Sequence, residues 1–240
     1  MLKFGAASGR QHNSDGSHTS QTPMRFGDPA SYDEQRQEMV ELQLRRRGVH
    51  DARVLEAMLQ VPRHEFIPEE FRAQAYEDHP LPIAKEQTIS QPLIIAISLQ
   101  ALALTGSESV LEVGTGSGYQ TALLASLTRQ VYSAERHPEL AETAERTLRD
   151  LGFSNVQVSI RDGSQGWKEH SPYDAILVSA AAPSVPRSLV EQLADEGRMV
   201  IPVGPTHTQH LLLVRRNGLT TTTETVDGCR FVPLVGAEGY

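Results

Sequence analysis

Leu111-Glu112-Val113-Gly114-Thr115-Gly116-Ser117-Gly118-Tyr119 runs from an apolar strand pattern into closely spaced glycines and then into a helical pattern. Glycines there let the backbone turn sharply and meet a ligand without a Cβ in the way, at the carboxyl end of a strand, where open α/β sheets bind their ligands. The spacing separates two cofactor classes. A dinucleotide fingerprint, G-x-G-x-x-G, needs its third glycine at position 119, which is Tyr119; the glycines fall instead at 114, 116 and 118. With no pyrophosphate to cradle, a G-x-G-x-G turn suits the amino-acid end of S-adenosylmethionine, contacted along Gly114, Thr115, Gly116, Ser117 and Gly118, with Glu112 near its ammonium group. The competing reading is a purely structural glycine turn.

Outward from this loop, the next strand pattern, Val131-Tyr132-Ser133-Ala134-Glu135, ends in an acid about twenty residues past the first glycine, where a carboxylate can accept both ribose hydroxyls. After a third strand pattern comes Asp162-Gly163, an acid and a flexible backbone that could reach the adenine edge; in isolation an Asp-Gly pair is simply a turn. Strand patterns at Val110 to Val113, Gln130 to Ala134, Val156 to Ile160, Tyr173 to Val178 and Arg198 to Val203 alternate with helical ones through Leu127, from Pro138 to Leu151 and from Pro186 to Leu193. Short strands separated by helices predict parallel pairing with right-handed crossovers, hence an α/β, Rossmann-like, mostly parallel doubly wound sheet. His210 to Arg215 and Cys229 to Val235 have no helix between them and predict a closing antiparallel hairpin.

Upstream, Met39, Val40, Leu42 and Leu44 mark an amphipathic helix that stops at Gly48, and Asp51 caps a second helix carrying Val54, Leu55, Met58 and Leu59 before Pro62. These form an N-terminal helical flank. Residues 1–31, rich in Ser, Gly, His, Gln and Asn, lack apolar periodicity and read as a disordered tail without the core of a signal peptide. Residues 32–240 read as one domain.

The 240 residues carry a net charge of −8, which argues against a broad nucleic-acid footprint. Arg45-Arg46-Arg47 is the one basic run, and as the last turn of a helix before Gly48 it complements the helix dipole. With a mean hydropathy of −0.34 and no apolar run near the roughly 18 residues a membrane helix needs, no bilayer span is expected. A single cysteine, Cys229, excludes an intrachain disulfide and fits a reducing cytoplasm. Histidines His12, His18, His50, His64, His79, His137, His170, His207 and His210 show no ligand spacing, so no metal is expected. Nothing in the chain sets an oligomeric state.

Asp78-His79-Pro80-Leu81-Pro82-Ile83 followed by Gln87-Thr88-Ile89-Ser90-Gln91-Pro92 resembles the signature of protein-L-isoaspartate O-methyltransferases. The resemblance resumes at Leu111 to Tyr119, Asp162 to Trp167, Pro172 to Ile176, Ala180-Ala181-Ala182-Pro183 with Val185-Pro186, Ile201 to Gly204, and Arg230-Phe231-Val232-Pro233-Leu234, covering roughly residues 35 to 236. It implies a class I methyltransferase in which residues 32–105 supply the flank and acceptor loop and residues 106–240 the cofactor-binding sheet. The implied reaction is S-adenosylmethionine-dependent methylation of the α-carboxylate exposed at L-isoaspartyl residues of damaged proteins and peptides, the first step of repair. By the same resemblance Ser90 is the active-site serine, Thr88 and Ile89 lie between acceptor and cofactor, and Ile83, Ala84, Gln87, Ala181 and Pro183 border the acceptor. From the residues alone Ser90 reads first as the N-cap of a helix starting at Pro92, and the two roles are compatible. Ala84 and Glu86 stand where the family writes glycine in a loop that supports extended peptides, and Arg161 stands where it has glycine before Asp162. The altered loop keeps a second expectation open: the same fold acting on another acceptor.

Overall fold

Helix α1 (Tyr32–Glu38) starts on a reciprocal cap, the Ser31 hydroxyl accepting the Glu34 amide at 3.3 Å while the Glu34 carboxylate accepts the Ser31 amide at 2.8 Å. The computed structural model describes residues 31–240, so the tail reading, with His12 and His18, lies outside the described residues except for Ser31. That residue belongs to the helix cap, which moves the expected boundary by one position. The helix continues as a π turn (Met39–Leu44) and a 3-10 turn (Arg45–Arg47) and stops at Gly48, whose φ of 95° only glycine adopts freely. Met39, Val40 and Leu44 are buried, but Leu42 is exposed, against expectation. The wider π turn shifts the phase of the apolar stripe, so a 3.6-residue period misplaces it. Helix α2 (Ala52–Gln60) is capped by Asp51, whose carboxylate accepts the amides of Arg53 at 2.9 Å and Val54 at 3.3 Å.

A two-stranded ribbon, β1 (Leu81–Pro82) against β2 (Thr88–Ile89), carries the loop between them, and β2 leads into α3 (Pro92–Leu102), which has proline in its first turn where no amide partner is lost. There follow β3 (Ser109–Val113), α4 (Tyr119–Leu127), β4 (Gln130–Glu135), α5 (Pro138–Asp150), β5 (Val156–Ile160), β6 (Tyr173–Val178), α6 (Arg187–Glu191), β7 (Leu193–Val203), β8 (Gln209–Asn217) and β9 (Thr220–Cys229). Strands β3 to β9 form one sheet in the order β5-β4-β3-β6-β7-β8-β9, parallel from β5 to β7 and antiparallel from β7 to β9. This is the mostly parallel, doubly wound Rossmann-like sheet the alternating pattern predicts, and it agrees with the class I methyltransferase fold that the resemblance implies. Its central strands are mostly apolar because both faces are covered: Val110, Ala175, Leu177 and Val200 belong to one cluster with residues of α2, α3 and α4, while Leu111, Ile176, Met199 and Val214 pack with Trp167, Tyr173 and Leu189. The chain goes from β3 outward to β5 and returns on the other side at β6, so the switch in strand order falls between β3 and β6. Ligand clefts in such sheets open there.

Two expectations are corrected. Helix α6 ends at Glu191 rather than Leu193, and β7 begins at Leu193 rather than Arg198. Leu193 pairs with Tyr173, then the register shifts through Asp195-Glu196-Gly197, with Glu196 at φ 61°, before Arg198 pairs with Ala175. That polar bulge hides the first half of the strand from an apolar-run reading. The last strand is Thr220–Cys229, not Cys229 to Val235. Its threonines are exposed and do not alternate with apolar residues, yet their β-branching suits a sheet edge.

Candidate active site

At the carboxyl ends of β3, β4 and β6 lies a cleft of about 290 Å³. Its floor is the glycine turn. Gly114, Gly116 and Gly118 all have positive φ, at 94°, 54° and 89°. A side chain on Gly118 would stand 3.1 Å from the Ala144 Cβ of α5, so this glycine lets α4 and α5 approach rather than touching the cleft. Gly114, Thr115, Gly116 and Ser117 do line it, as do Glu135 and Gly163. Glu135 closes the far wall: its carboxylate accepts the amides of Gly116 at 2.9 Å, Arg136 at 2.8 Å and His137 at 2.9 Å, which fixes the loop and the turn after β4 together.

The opposite wall is strand β2 of the ribbon with the residue on either side of it. Gln87, Thr88, Ile89 and Ser90 line the same cleft, and the Ile83 Cδ1 lies 3.7 Å from where a Cβ on Gly116 would stand. The expected acceptor segment and the glycine turn therefore line one opening. The Ser90 carbonyl accepts from Arg63 Nη2 at 2.8 Å, while its hydroxyl makes no hydrogen bond among the described residues. Ser90 is not the cap of α3: the N-cap is Gln91, without a side-chain cap bond.

Several expected site residues lie elsewhere. Glu112 does not face the cleft; it is fully buried behind the loop, accepting from Thr121 Oγ1 at 2.6 Å, Ser133 Oγ at 2.6 Å and Gln120 Nε2 at 3.1 Å. Burial pushes its carboxyl up to about 7, against the pull of those three donors. Asp162 caps the 3-10 turn Gly163–Gln165, and its carboxylate accepts the Ser164 amide at 3.0 Å and the Ala237 amide at 2.8 Å. Burial opposes its ionisation, but these hydrogen bonds prevail and hold its pKa low. It anchors the C-terminal segment rather than the cleft. Ile83, Ala84, Ala181 and Pro183 do not line the opening; Ala181 instead pairs with the C-terminal segment, its amide donating to the Val232 carbonyl at 2.8 Å. Arg161 points away, 4.2 Å from the Trp167 ring centre and 3.4 Å from Glu169.

Ala180, at the start of the segment after β6 expected to wall the cleft, does line it, but the sequence reading missed other parts of the lining: Val232 to Val235 rim the cleft, and Ser179, Gln120, Arg136 and His137 also border it. Ser179 directly follows β6, so the switch-point rule was the available signal. Gln120 Nε2 donates to Ser179 Oγ at 2.5 Å and to Glu112, linking the cleft to the buried carboxyl. Among the described residues no group of three His, Cys, Asp or Glu side chains could hold a metal ion, and no helix is long and apolar enough to cross a membrane.

The family model for protein-L-isoaspartate(D-aspartate) O-methyltransferase matches residues 34–239. The chain belongs to that family. Relatives named protein-L-isoaspartate O-methyltransferase include one from Syntrophus aciditrophicus, 53% identical over 214 residues, covering 87% of this chain and 97% of the relative. One from Syntrophobacter fumaroxidans is 50% identical over 210 residues, covering 88% and 98%. A solved protein-L-isoaspartate O-methyltransferase superposes with a TM-score of 0.75 at 29% identity, covering 85% of this chain and 67% of that one. A Plasmodium falciparum beta-aspartate methyltransferase in complex with S-adenosyl-L-homocysteine gives 0.71 at 28% identity, covering 85% and 97%. Against the family's glycine pattern, the loop between β1 and β2 now has a geometric account. Lys85 and Glu86 sit at φ 59° and 56°, with the Gln87 amide donating to the Ala84 carbonyl at 3.2 Å, so they are the two central residues of a tight turn that glycine would occupy without strain. Ala84 has no positive φ. Of the two loop positions expected to differ from the family's glycines, Ala84 and Glu86, only Glu86 carries a backbone penalty.

Proposed function

We propose that the chain transfers the methyl group of S-adenosylmethionine to the α-carboxylate exposed by L-isoaspartyl linkage in damaged proteins and peptides, in the cytoplasm, as the first step of their repair. The observation that carries this reading is that Thr88 to Ser90 and Gly114 to Ser117 line one cleft. The residues fit the cofactor: glycines with positive φ leave room where side chains would intrude, Glu135 presents a carboxylate suited to a ribose diol, and Ser117, Ser179 and Gln120 offer polar groups to an amino-acid moiety. The cofactor supplies an electrophilic methyl on a positively charged sulfur. The acceptor carboxylate, with a pKa near 4, is already ionised at neutral pH, so the chain needs no general base. What remains is to exclude water and hold the nucleophile in line, an orientation effect worth roughly 7 to 11 kcal/mol. Ser90, with a free hydroxyl, orients the acceptor without competing as a nucleophile. The deciding experiment pairs an isoaspartyl peptide with its aspartyl counterpart and labelled S-adenosylmethionine: methylation of the first alone is expected, and equal or absent labelling of both would sink the reading.

Glu86 favours a narrower version, in which acceptor choice depends on charge. It lines the cleft, and its neighbour Lys85 is drawn aside to Glu139 at 2.7 Å, leaving the Glu86 carboxylate without that cation. Exposed charge pairs are worth up to about 1 kcal/mol. Glu86→Gly is therefore expected to lower KM for isoaspartyl peptides with acidic neighbours by roughly two- to fivefold, and to leave KM for neutral peptides nearly unchanged. Steady-state kinetics on matched peptides checks this, and an equal effect on both would remove Glu86 from acceptor selection.

A further inference from the structure

Arg63 is the largest fully buried side chain of the described residues, and it has no carboxylate within ion-pairing distance. A buried guanidinium that no carboxylate directly contacts is expensive, and burial holds its pKa down to about 10 against the smaller opposing pull of Tyr119, Tyr76 and Asp78. Its contacts run in three directions. Nε donates to the Ala75 carbonyl at 2.8 Å, Nη2 donates to the Ser90 carbonyl at 2.8 Å, and the guanidinium carbon stands 4.9 Å from the ring centre of Tyr119. Nη1 finds no partner at all. A side chain retained only for packing would be better replaced by an apolar one, since one donor is left unsatisfied where each such group costs roughly 1 to 3 kcal/mol. The geometry instead joins the two halves of the site. Tyr119 is the first residue of α4, one position after Gly118, and Ser90 stands on the facing wall of the cleft.

We propose that Arg63 is a positioning residue for methyl transfer, which sets the placement of Ser90 against the glycine turn by fastening the Ser90 carbonyl on one side and resting on the Tyr119 ring on the other. The assignment rests on the role given to Ser90 above. Because the Ser90 hydroxyl has no hydrogen bond of its own, its location follows from the backbone, and Arg63 is the side chain that holds that backbone. A planar fork can span two carbonyls and stack on a ring at once. A lysine ammonium cannot.

The test is a double-mutant cycle of Arg63→Lys and Ser90→Ala, read by kcat, KM for S-adenosylmethionine and calorimetric binding of S-adenosylhomocysteine. Misplacing a reacting group by about 1 Å costs up to roughly a hundredfold in rate. Arg63→Lys is expected to lower kcat by about ten- to thirtyfold with cofactor KM and affinity within about twofold, and to have no further effect on kcat in the Ser90→Ala background. An undiminished fall in that background, or a kcat unchanged by Arg63→Lys beside an impaired Ser90→Ala, would overturn the assignment. Full turnover in Ser90→Ala alone would instead sink the role of Ser90. Should Arg63→Lys not fold, Tyr119→Leu keeps both carbonyl hydrogen bonds and removes the ring platform, together with the Tyr119 hydroxyl's bond to Met58 Sδ at 3.5 Å, which lies away from the cleft. A smaller fall in kcat, again absent beside Ser90→Ala, supports the assignment, and full activity or an effect that persists beside Ser90→Ala refutes it.

Discussion

Ser90→Ala is expected to lower kcat about a hundredfold while binding of S-adenosylhomocysteine changes by less than about twofold and thermal stability by no more than a degree or two. The magnitude follows from orientation: the acceptor oxygen must stay in line with the methyl group, and a displacement of about 1 Å accounts for a loss of this order. The selectivity of the effect follows from the structure. Losing a serine cap would typically cost about 1 kcal/mol of stability, but the cap position belongs to Gln91 and the Ser90 hydroxyl makes no hydrogen bond to lose. The Ser90 carbonyl, which Arg63 holds, is untouched by the substitution. Single-turnover kinetics beside calorimetric titration separates the outcomes. A collapse of cofactor binding would place Ser90 in the cofactor site, and a melting temperature several degrees lower would return it to a structural role.

The fold was largely legible because the signals that define it are local and redundant. Each central strand is a short, mostly apolar run, and burial on both faces makes that pattern nearly continuous, as in Tyr173 to Val178, whose bounds match the expected ones and where only Asp174 is exposed. Where a segment obeys a less common rule the reading slips. The π turn after α1 moved Leu42 to the surface, the bulge at Asp195 to Gly197 hid half of β7, and the polar edge strand Thr220–Cys229 offered no alternation to find. For the site, motifs located the right backbone but not the direction of each side chain. Glu112 and Glu135 are both acids at strand ends, yet one turns behind the loop and the other borders the cleft. Sequence spacing does not distinguish them, because a strand's alternation says which face a residue takes and not whether helix α4 covers that face with Thr121 and Gln120. The same limit explains Asp162, which looks like a ligand-binding acid until the returning C-terminal segment supplies the Ala237 amide.

Glu112→Gln is expected to shift the pH dependence of stability by the largest amount of any single change outside the cleft. Desolvation raises the folded-state pKa of Glu112 from 4.5 to about 7, with the Glu135 carboxylate adding to the rise and the Ser133, Thr121 and Gln120 donors opposing it. A carboxyl whose folded pKa lies above its unfolded one keeps its proton in the native chain after the unfolded chain has released it. Its contribution is complete below about pH 4.5, and is lost as the pH rises through 7. At about 1.4 kcal/mol for each pH unit of difference, the loss over that window is on the order of 3 kcal/mol. An amide at this position cannot ionise, and the Thr121 and Ser133 hydroxyls can each reverse their hydrogen bond to accept from it. Chemical denaturation of both proteins at pH 5 and pH 8 isolates the effect, because every other titrating group cancels in the difference between them. The stability difference should move in favour of Glu112→Gln by about 2 to 3 kcal/mol between the two pH values. Parallel profiles would mean that the carboxyl is ionised throughout. In that case the three donors, and not burial, set its state, and the Gln120 amide would bridge a charged Glu112 to Ser179 at the edge of the cleft.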